Sequence, residues 1–377
     1  MDFSFSEQQN DVRNLARQIL ADNVSAESLA TYDLYQAERF DRDLWAKLAE
    51  AGLLGVAVEE QYGGMGFGFF ELALLIEEAG RTLAPLPLIS HLVSALLPIQ
   101  AFGSDAMKQR WLADAVAGKA LLTAALMEAN NEDPTQPLLV TAKRDGDGLR
   151  LSGDKRCVPF AQQAQRVLMS VKLEDELAVV LLDPKAQGVR LVPMQVSTYE
   201  PQYEVYLDNA SIDAEDILAV GDKARDIMVW VRQRSVAAVC ASQLGSSDAA
   251  MRMTASYTAE RKQFGVPIAT FQAVGHRAAN CFIDVECLRL NAYQAVSKLD
   301  DGVDAENEVQ IAKIWAGDTG HRVSYAAQHL HGGTGIDRDY PLWRYCTWLR
   351  HNELMLGSSA KLLSHLGKRI AAGQAFV

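Results

Sequence analysis

The stretch RVLMSVKLEDELAVVLLDPKAQGVRLV, Arg166 to Val192, decides the fold. It holds three apolar runs of strand length, RVLMSV, LAVVLL and GVRLV, separated by turn residues, and none of them is as long as an ordinary helix. The same texture extends outward to LLTAALM from Leu121, LVTAKR from Leu139, GLRLSG from Gly148 and YEVYLDNASI from Tyr203. Asp145-Gly146-Asp147-Gly148 and Ser152-Gly153-Asp154 supply turn signals between runs. Leu121 to about Val220 is therefore expected to form a compact antiparallel β domain.

On either side the apolar period changes to three and four. Val12, Leu15, Ile19 and Leu20, then Leu44, Leu48, Leu53 and Leu54, then Leu72, Leu75 and Ile76 mark helices before the strands. Long helical stretches return after Asp226, over Val236–Arg261 and Val303–Leu330. The expected class is mainly α with a central β domain, divided as 1–118 (helical), 119–222 (β) and 223–377 (a helical bundle). Strands confined to the middle exclude a wound βαβ sheet and its dinucleotide crevice, so a cofactor would have to sit between domains.

Composition narrows the function classes. With 377 residues and 49% apolar content, the chain can bury more than one core. Its 48 acidic against 36 basic residues give a charge of −12, which disfavours general binding to nucleic acid. The opening MDFSFSEQQNDVRNLARQIL carries acid and no apolar signal-peptide core, so a cytoplasmic location is expected. The most apolar stretch, Leu83 to Phe102, is interrupted by Pro85, Pro87 and Pro98, and no membrane span is expected. The five cysteines, Cys157, Cys240, Cys281, Cys287 and Cys346, are odd in number and lack CxxC spacing, which reads as buried thiols rather than disulfides or a zinc site.

Two constellations carry chemistry. In YTAERKQFGVPIATFQAV, Tyr257 to Val274, a helix ends in Glu260, Arg261 and Lys262, turns at Gly265-Val266-Pro267, and is followed by Phe271 and Gln272. An arginine fork suits phosphate oxygens, and a nearby Phe can cover a flat ring; the bland alternative is a solvated helix end whose cations favour the dipole. In QHLHGGTG, Gln328 to Gly335, the glycines Gly332 and Gly333 let a backbone approach a ligand closely. His329 and His331 lack a third metal ligand, so no metal is expected, and a plain helix-ending turn is the alternative. The glycine-rich QYGGMGFG, Gln61 to Gly68, lacks GxGxxG spacing and reads as a loop.

RKQFG at Arg261 to Gly265, FQAVGHRAA at Phe271 to Ala279 and HLHGGTG at His329 to Gly335, in this order and separation, resemble the signature segments of acyl-CoA dehydrogenases. LAEAGLLGVAVEEQYGGMGFG at Leu48 to Gly68 and EVYLDNASI at Glu204 to Ile212 extend the resemblance to nearly the whole chain. It implies an N-terminal helical domain, a middle β domain and a C-terminal four-helix bundle, with FAD held between subunits. It further implies that Arg261, Phe264 and Gln272 reach the diphosphate and adenosine of FAD bound mainly by a neighbouring subunit, with His329, Gly332 and Gly333 beside them. The implied reaction is α,β-dehydrogenation of an acyl-CoA: a carboxylate takes the α proton and flavin N5 takes the β hydride. An electron-transfer flavoprotein or similar acceptor would take the electrons.

The chain departs from the family pattern where the chemistry should lie. The usual base position falls on Leu356, before Gly357, and the other known location falls on about Gln233 to Ser235; neither is acidic. Met127, Glu128 and Ala129 stand in place of a Thr-Glu-Pro beside the flavin, and Cys157, Val158 and Pro159 in place of a Trp-x-Thr. His329 stands where the family has Gln. The tail GIDRDYPLWRY with NELMLGSSAKLL resembles subunits of heteromeric acyl-CoA dehydrogenases that act on steroid side-chain thioesters, which implies a related chain as partner. The alternatives are a homo-oligomeric enzyme with Glu353 as base, a flavin monooxygenase of the same fold, and an assembly or binding protein without flavin.

Overall fold

A computed structural model describes residues 4–35 and 37–374. In chain order the helices are α1 (Glu7–Asn23), α2 (Ala26–Ala30), α3 (Arg42–Glu50), α4 (Phe69–Thr82), α5 (Leu97–Phe102), α6 (Asp105–Val116), α7 (Asp222–Glu260), α8 (Gln272–Asp300), α9 (Glu306–His331), α10 (Leu342–Leu354) and α11 (Ser359–Ala371). The strands are β1 (Leu122–Ala125), β2 (Thr141–Asp145), β3 (Gly148–Pro159), β4 (Arg166–Leu173), β5 (Glu176–Leu182), β6 (Val189–Met194), β7 (Gln202–Ile212) and β8 (Ile217–Val220), with a small hairpin of β9 (Lys262–Gln263) and β10 (Val266–Pro267). The chain divides into two compact units, a helical one of residues 1–30, 69–84 and 236–377, and a sheet-bearing one of residues 31–68 and 85–235.

In the sheet-bearing unit the main strand order is β6-β7-β3-β2-β4-β5-β8, with β1 paired to β4. The sheet is mixed rather than purely antiparallel, because β1 and β2 both run parallel to β4. The β2–β3 hairpin, closed as expected at Asp145↔Gly148, intervenes in sequence between β1 and β4, and a second reversal after β3 sets β4 running in the direction of β1 and β2. Ser152-Gly153-Asp154 is no turn: it lies inside β3, where a register shift against β7 and a φ of 128° at Gly153 absorb the irregularity. β8 is too short to have stood out in the sequence. Val158, Val167, Met169, Val180 and Val205 fill the core of this unit.

Before the sheet, Ile89–Leu96 is π-helical, an element that apolar spacing does not announce. Pro98, with no N–H to donate, lies in the first turn of the α-helix α5 that follows. His91 on the π-helical segment is fully buried, accepts the N–H of Leu122 at Nδ1 (3.0 Å) and meets the edge of Trp45.

In the helical unit, α1 begins with a capping box in which Ser6 and Gln9 each accept the other's backbone N–H at 3.1 Å. Its buried face is Val12, Ala16 and Leu20, so Leu15, expected inside, points outward. Small residues bring α4 and α7 together, and the Ser246 hydroxyl donates to the Gly80 carbonyl at 2.9 Å. A buried charge network surrounds this crossing. Arg81 pairs with Glu77, Glu78 and Asp248, Arg289 pairs with Glu77, and the Tyr293 hydroxyl donates to Glu77 at 2.7 Å. Cys240, Cys281 and Cys346 are buried, but Cys157 and Cys287 are half-buried. An odd number and the lack of CxxC spacing speak only against pairing and metal binding, not for depth; Cys157 lies in irregular backbone of β3. Among the described residues no helix is long and apolar enough to cross a membrane.

Candidate functional site

The helical unit gathers the first constellation at one end. α7 stops at Glu260, and the Arg261 N–H still donates to the Tyr257 carbonyl at 2.8 Å. The chain then folds back as β9 and β10, pairing Val266 with Gln263 and Pro267 with Lys262. Phe264 sits at the tip with a φ of 53° and is 94% exposed. A bulky side chain in the left-handed region costs roughly 1–2 kcal/mol, and placing its ring almost wholly in water recovers none of that. Phe271 meets Phe264 edge to face at 6.2 Å and precedes α8, whose first turn has no side-chain cap. Arg261 and Gln272 are exposed beside these rings.

The glycine turn lies at the same end. α9 ends at His331, and Gly332 takes a φ of 62° with ψ of −137°, a conformation open to glycine. The adjacent histidines have opposite fates. His329 is exposed, while His331 is buried with Nδ1–H donating to the Ala327 carbonyl at 2.8 Å and Nε2 accepting from the Tyr340 hydroxyl at 3.2 Å. Burial holds the His331 imidazole below its ordinary pKa and neutral. Its ring stacks on Tyr257 at 4.2 Å, and the Tyr257 hydroxyl donates to the His331 carbonyl at 3.3 Å. Tyr257, His331 and Tyr340 thereby tie the glycine turn to the end of α7. Sequence reasoning missed this stack; the tyrosine one turn before Arg261 was its available signal. No cluster of three or more His, Cys, Asp or Glu able to hold a metal exists among the described residues.

An arginine fork, an uncapped N-terminus on a 29-residue helix, exposed aromatic rings and a glycine backbone suit a diphosphate joined to flat rings. This donor set fits the ADP half of FAD.

Two of the candidate base positions, Glu353 and Leu356, lie at and just past the end of α10. Leu356 is buried with a φ of 55°, followed by Gly357 at 115°. Glu353 lies one turn earlier, its side chain only 16% exposed, with Oε2 2.7 Å from Arg350 and Oε1 3.4 Å from His321. Oε2 faces the Arg350 cation as an ion pair but takes no hydrogen bond from it. The buried Lys313 ammonium donates to the Asn352 and Glu353 carbonyls at 2.9 and 3.0 Å and so ends α10 just before this turn. In the sheet-bearing unit, Ser235 is buried and its hydroxyl is bonded to that of Ser94 at 2.8 Å, a packing contact rather than a free base.

In the sheet-bearing unit, the Met127 carbonyl accepts the Arg156 N–H at 2.9 Å, which brings Met127–Ala129 and Cys157–Pro159 side by side. Cys157 is in the left-handed region with a φ of 51°, and burial pushes its thiol pKa up, so it is no nucleophile. The Pro159 carbonyl is taken by the Thr123 hydroxyl at 2.6 Å.

Comparison with known proteins agrees with this geometry. Residues 6–119 match the acyl-CoA dehydrogenase N-terminal domain and residues 232–371 the acyl-CoA dehydrogenase C-terminal domain. Acyl-CoA dehydrogenase FadE27 of Mycobacterium tuberculosis is 34% identical over 98% of this chain and 99% of its own length. Among solved structures, the ChsE4–ChsE5 complex from Mycobacterium tuberculosis superposes with a TM-score of 0.92 at 33% identity, covering 98% of this chain and 99% of the matched one. A variant of the Tcur3481–Tcur3483 steroid acyl-CoA dehydrogenase gives 0.90 at 37%, with the same coverage. The chain belongs to the acyl-CoA dehydrogenase family, FAD-dependent oxidoreductases that act on the CH–CH group of their donors.

Proposed function

We propose that this chain is the base-deficient subunit of a heteromeric acyl-CoA dehydrogenase, acting in the cytoplasm on the CoA thioester of a steroid side chain. A related chain supplies the carboxylate, and an electron-transfer flavoprotein or similar acceptor takes the electrons. In this reading Arg261, Phe264, Gln272, His329, Gly332 and Gly333 hold the ADP half of FAD seated mainly in the partner. When bound, FAD supplies the hydride acceptor; this chain contributes cation, ring and backbone contacts that fix it.

The observation that carries the reading is the pairing of an exposed, strained Phe264 hairpin with a buried Leu356 at the expected base position. The chain offers a grip on a cofactor and no carboxylate at that turn. Two similar structures support the partner and the substrate class: the ChsE4–ChsE5 complex, and Tcur3481–Tcur3483, a steroid acyl-CoA dehydrogenase.

The test is anaerobic flavin bleaching by a panel of acyl-CoA thioesters, steroid side-chain thioesters included, using the chain alone and co-purified with a related acid-bearing chain. Bleaching by the pair only is expected; full bleaching by the lone chain would sink the proposal. The three-part division at 118/119 and 222/223 belongs to the same proposal. It requires residues 119–222, expressed alone, to give a cooperative melt with β-type circular dichroism.

A further inference from the structure

We propose that Glu128 and Lys155 form a positioning pair inside the sheet-bearing unit, holding Met127–Ala129 and Cys157–Pro159 in place from within. Lys155 Nζ donates to Glu128 Oε1 at 2.8 Å, and both side chains are 1% exposed. Such a pair is a costly thing to bury, and an apolar pair of similar volume would often serve stability as well or better. The hydrogen bonds around it point to a geometric task.

The task is visible in what else Glu128 holds. Its Oε2 accepts the N–H groups of Leu138 at 2.7 Å and Leu139 at 2.9 Å, and Oε1 accepts that of Val140 at 3.3 Å. One carboxylate therefore closes the whole loop from residue 129 to residue 139. The loop is cross-linked further by reciprocal backbone bonds between Glu128 and Asn131, and by the Asn131 amide donating to the Gln136 carbonyl at 2.9 Å.

The other end of the pair explains Cys157. Lys155 is the last residue of β3 in regular register with β7, opposite Val205, and the next regular pair is Val158 opposite Tyr203. Arg156 and Cys157 together face one residue of β7, a bulge that turns the Cys157 side chain out of its regular position. A left-handed cysteine persists only where its surroundings over-determine it. Lys155, anchored inward on Glu128, and the Arg156 N–H, anchored on the Met127 carbonyl, are the two fixed points immediately before it. Glu128 thus acts through backbone placement, leaving Met127 and Cys157, not the carboxylate, to face outward. The consequence for flavin binding rests on the function proposed above.

The test uses the full chain with Glu128→Gln, Lys155→Met, and the double change Glu128→Leu/Lys155→Met. The readouts are alkylation of Cys157 by iodoacetamide, resolved by peptide mass, and cleavage after Glu132 by a glutamate-specific protease. Cys287, half-buried in the helical unit, is the internal reference. Each single variant is expected to raise both rates about ten- to a hundredfold, the factor that loss of one charge-assisted bond produces, with Cys287 unchanged.

The double variant should be open at Glu132 at least as far as the single ones and gain no urea midpoint over them, because the leucine leaves the N–H groups of Leu138, Leu139 and Val140 without their acceptor. Unchanged Cys157 and Glu132 rates, or a parallel rise at Cys287, would overturn the proposal. Flavin retention by the assembled complex, measured on the same variants, reports separately on the cofactor assignment. Loosened segments with retention unchanged would refute that assignment alone.

Discussion

Gly245 of α7 lies so close to the Glu77 carbonyl of α4 that a β-carbon on it would stand 1.9 Å from that oxygen. The approach is backbone on backbone, so no side-chain rotation can relieve it. Gly245→Ala must therefore push α4 away and disturb the Glu77, Arg81 and Asp248 network beside it. We expect a loss of at least about 3 kcal/mol, at the upper end for overpacked cores, measured by urea unfolding of the purified chain. A midpoint equal to the parent's would mean the two helices part freely.

His91 makes stability depend on pH in a definite window. Burial pushes its pKa down from 6.5 to about 4. Above the unfolded value the imidazole is neutral in both states and contributes nothing. As pH falls through the window, the unfolded chain takes a proton that the folded chain refuses, so stability drops, by about 3 kcal/mol in total. His91→Asn should flatten the difference in unfolding free energy between pH 7 and pH 4 by that amount. Identical pH profiles for the two proteins would contradict it.

Arg261→Ala should leave the isolated chain's melting temperature unchanged, since the side chain is exposed, and weaken flavin retention by the assembled complex about ten- to a hundredfold. Flavin-to-protein ratio after gel filtration is the measurement. Full retention would remove Arg261 from the cofactor's contacts.

Glu353→Gln tests whether that carboxylate is a base. Its ion pair with Arg350, 2.7 Å away, assigns the carboxylate a structural role and predicts turnover of the complex within about threefold of the parent, against the ~10²- to 10⁴-fold that losing a general base costs. A loss in the larger range, with flavin content intact, would assign the proton transfer to Glu353.

How far the sequence could be read follows from what each feature depends on. Apolar periodicity exposed the helices and most strands, because burial of one face is a local pattern; Leu44, Leu48, Leu72 and Ile76 are all buried. Leu15 misled because two adjacent turns of α1 offered apolar residues and packing chose Ala16. Gly153 misled because a glycine that marks a turn also permits a bulge inside a long strand. The hairpin after Arg261 was legible as a turn from a short motif. Its supports were not, since Tyr257, His331 and Tyr340 meet only when three separated segments fold together. The same holds for Lys155, whose sequence neighbours give no sign that its ammonium is buried on a carboxylate from the segment that follows β1.

The hairpin tip has a bearing on how variants of this protein should be screened. Among the described residues, the Phe264 ring has an edge contact with Phe271 and is otherwise almost wholly exposed. A substitution there would pass every test of expression, solubility and melting, and any harm would surface only in the assembled complex. Quality control that senses unfolding is blind at such a position, so selection on Phe264 can act only through the company the chain keeps.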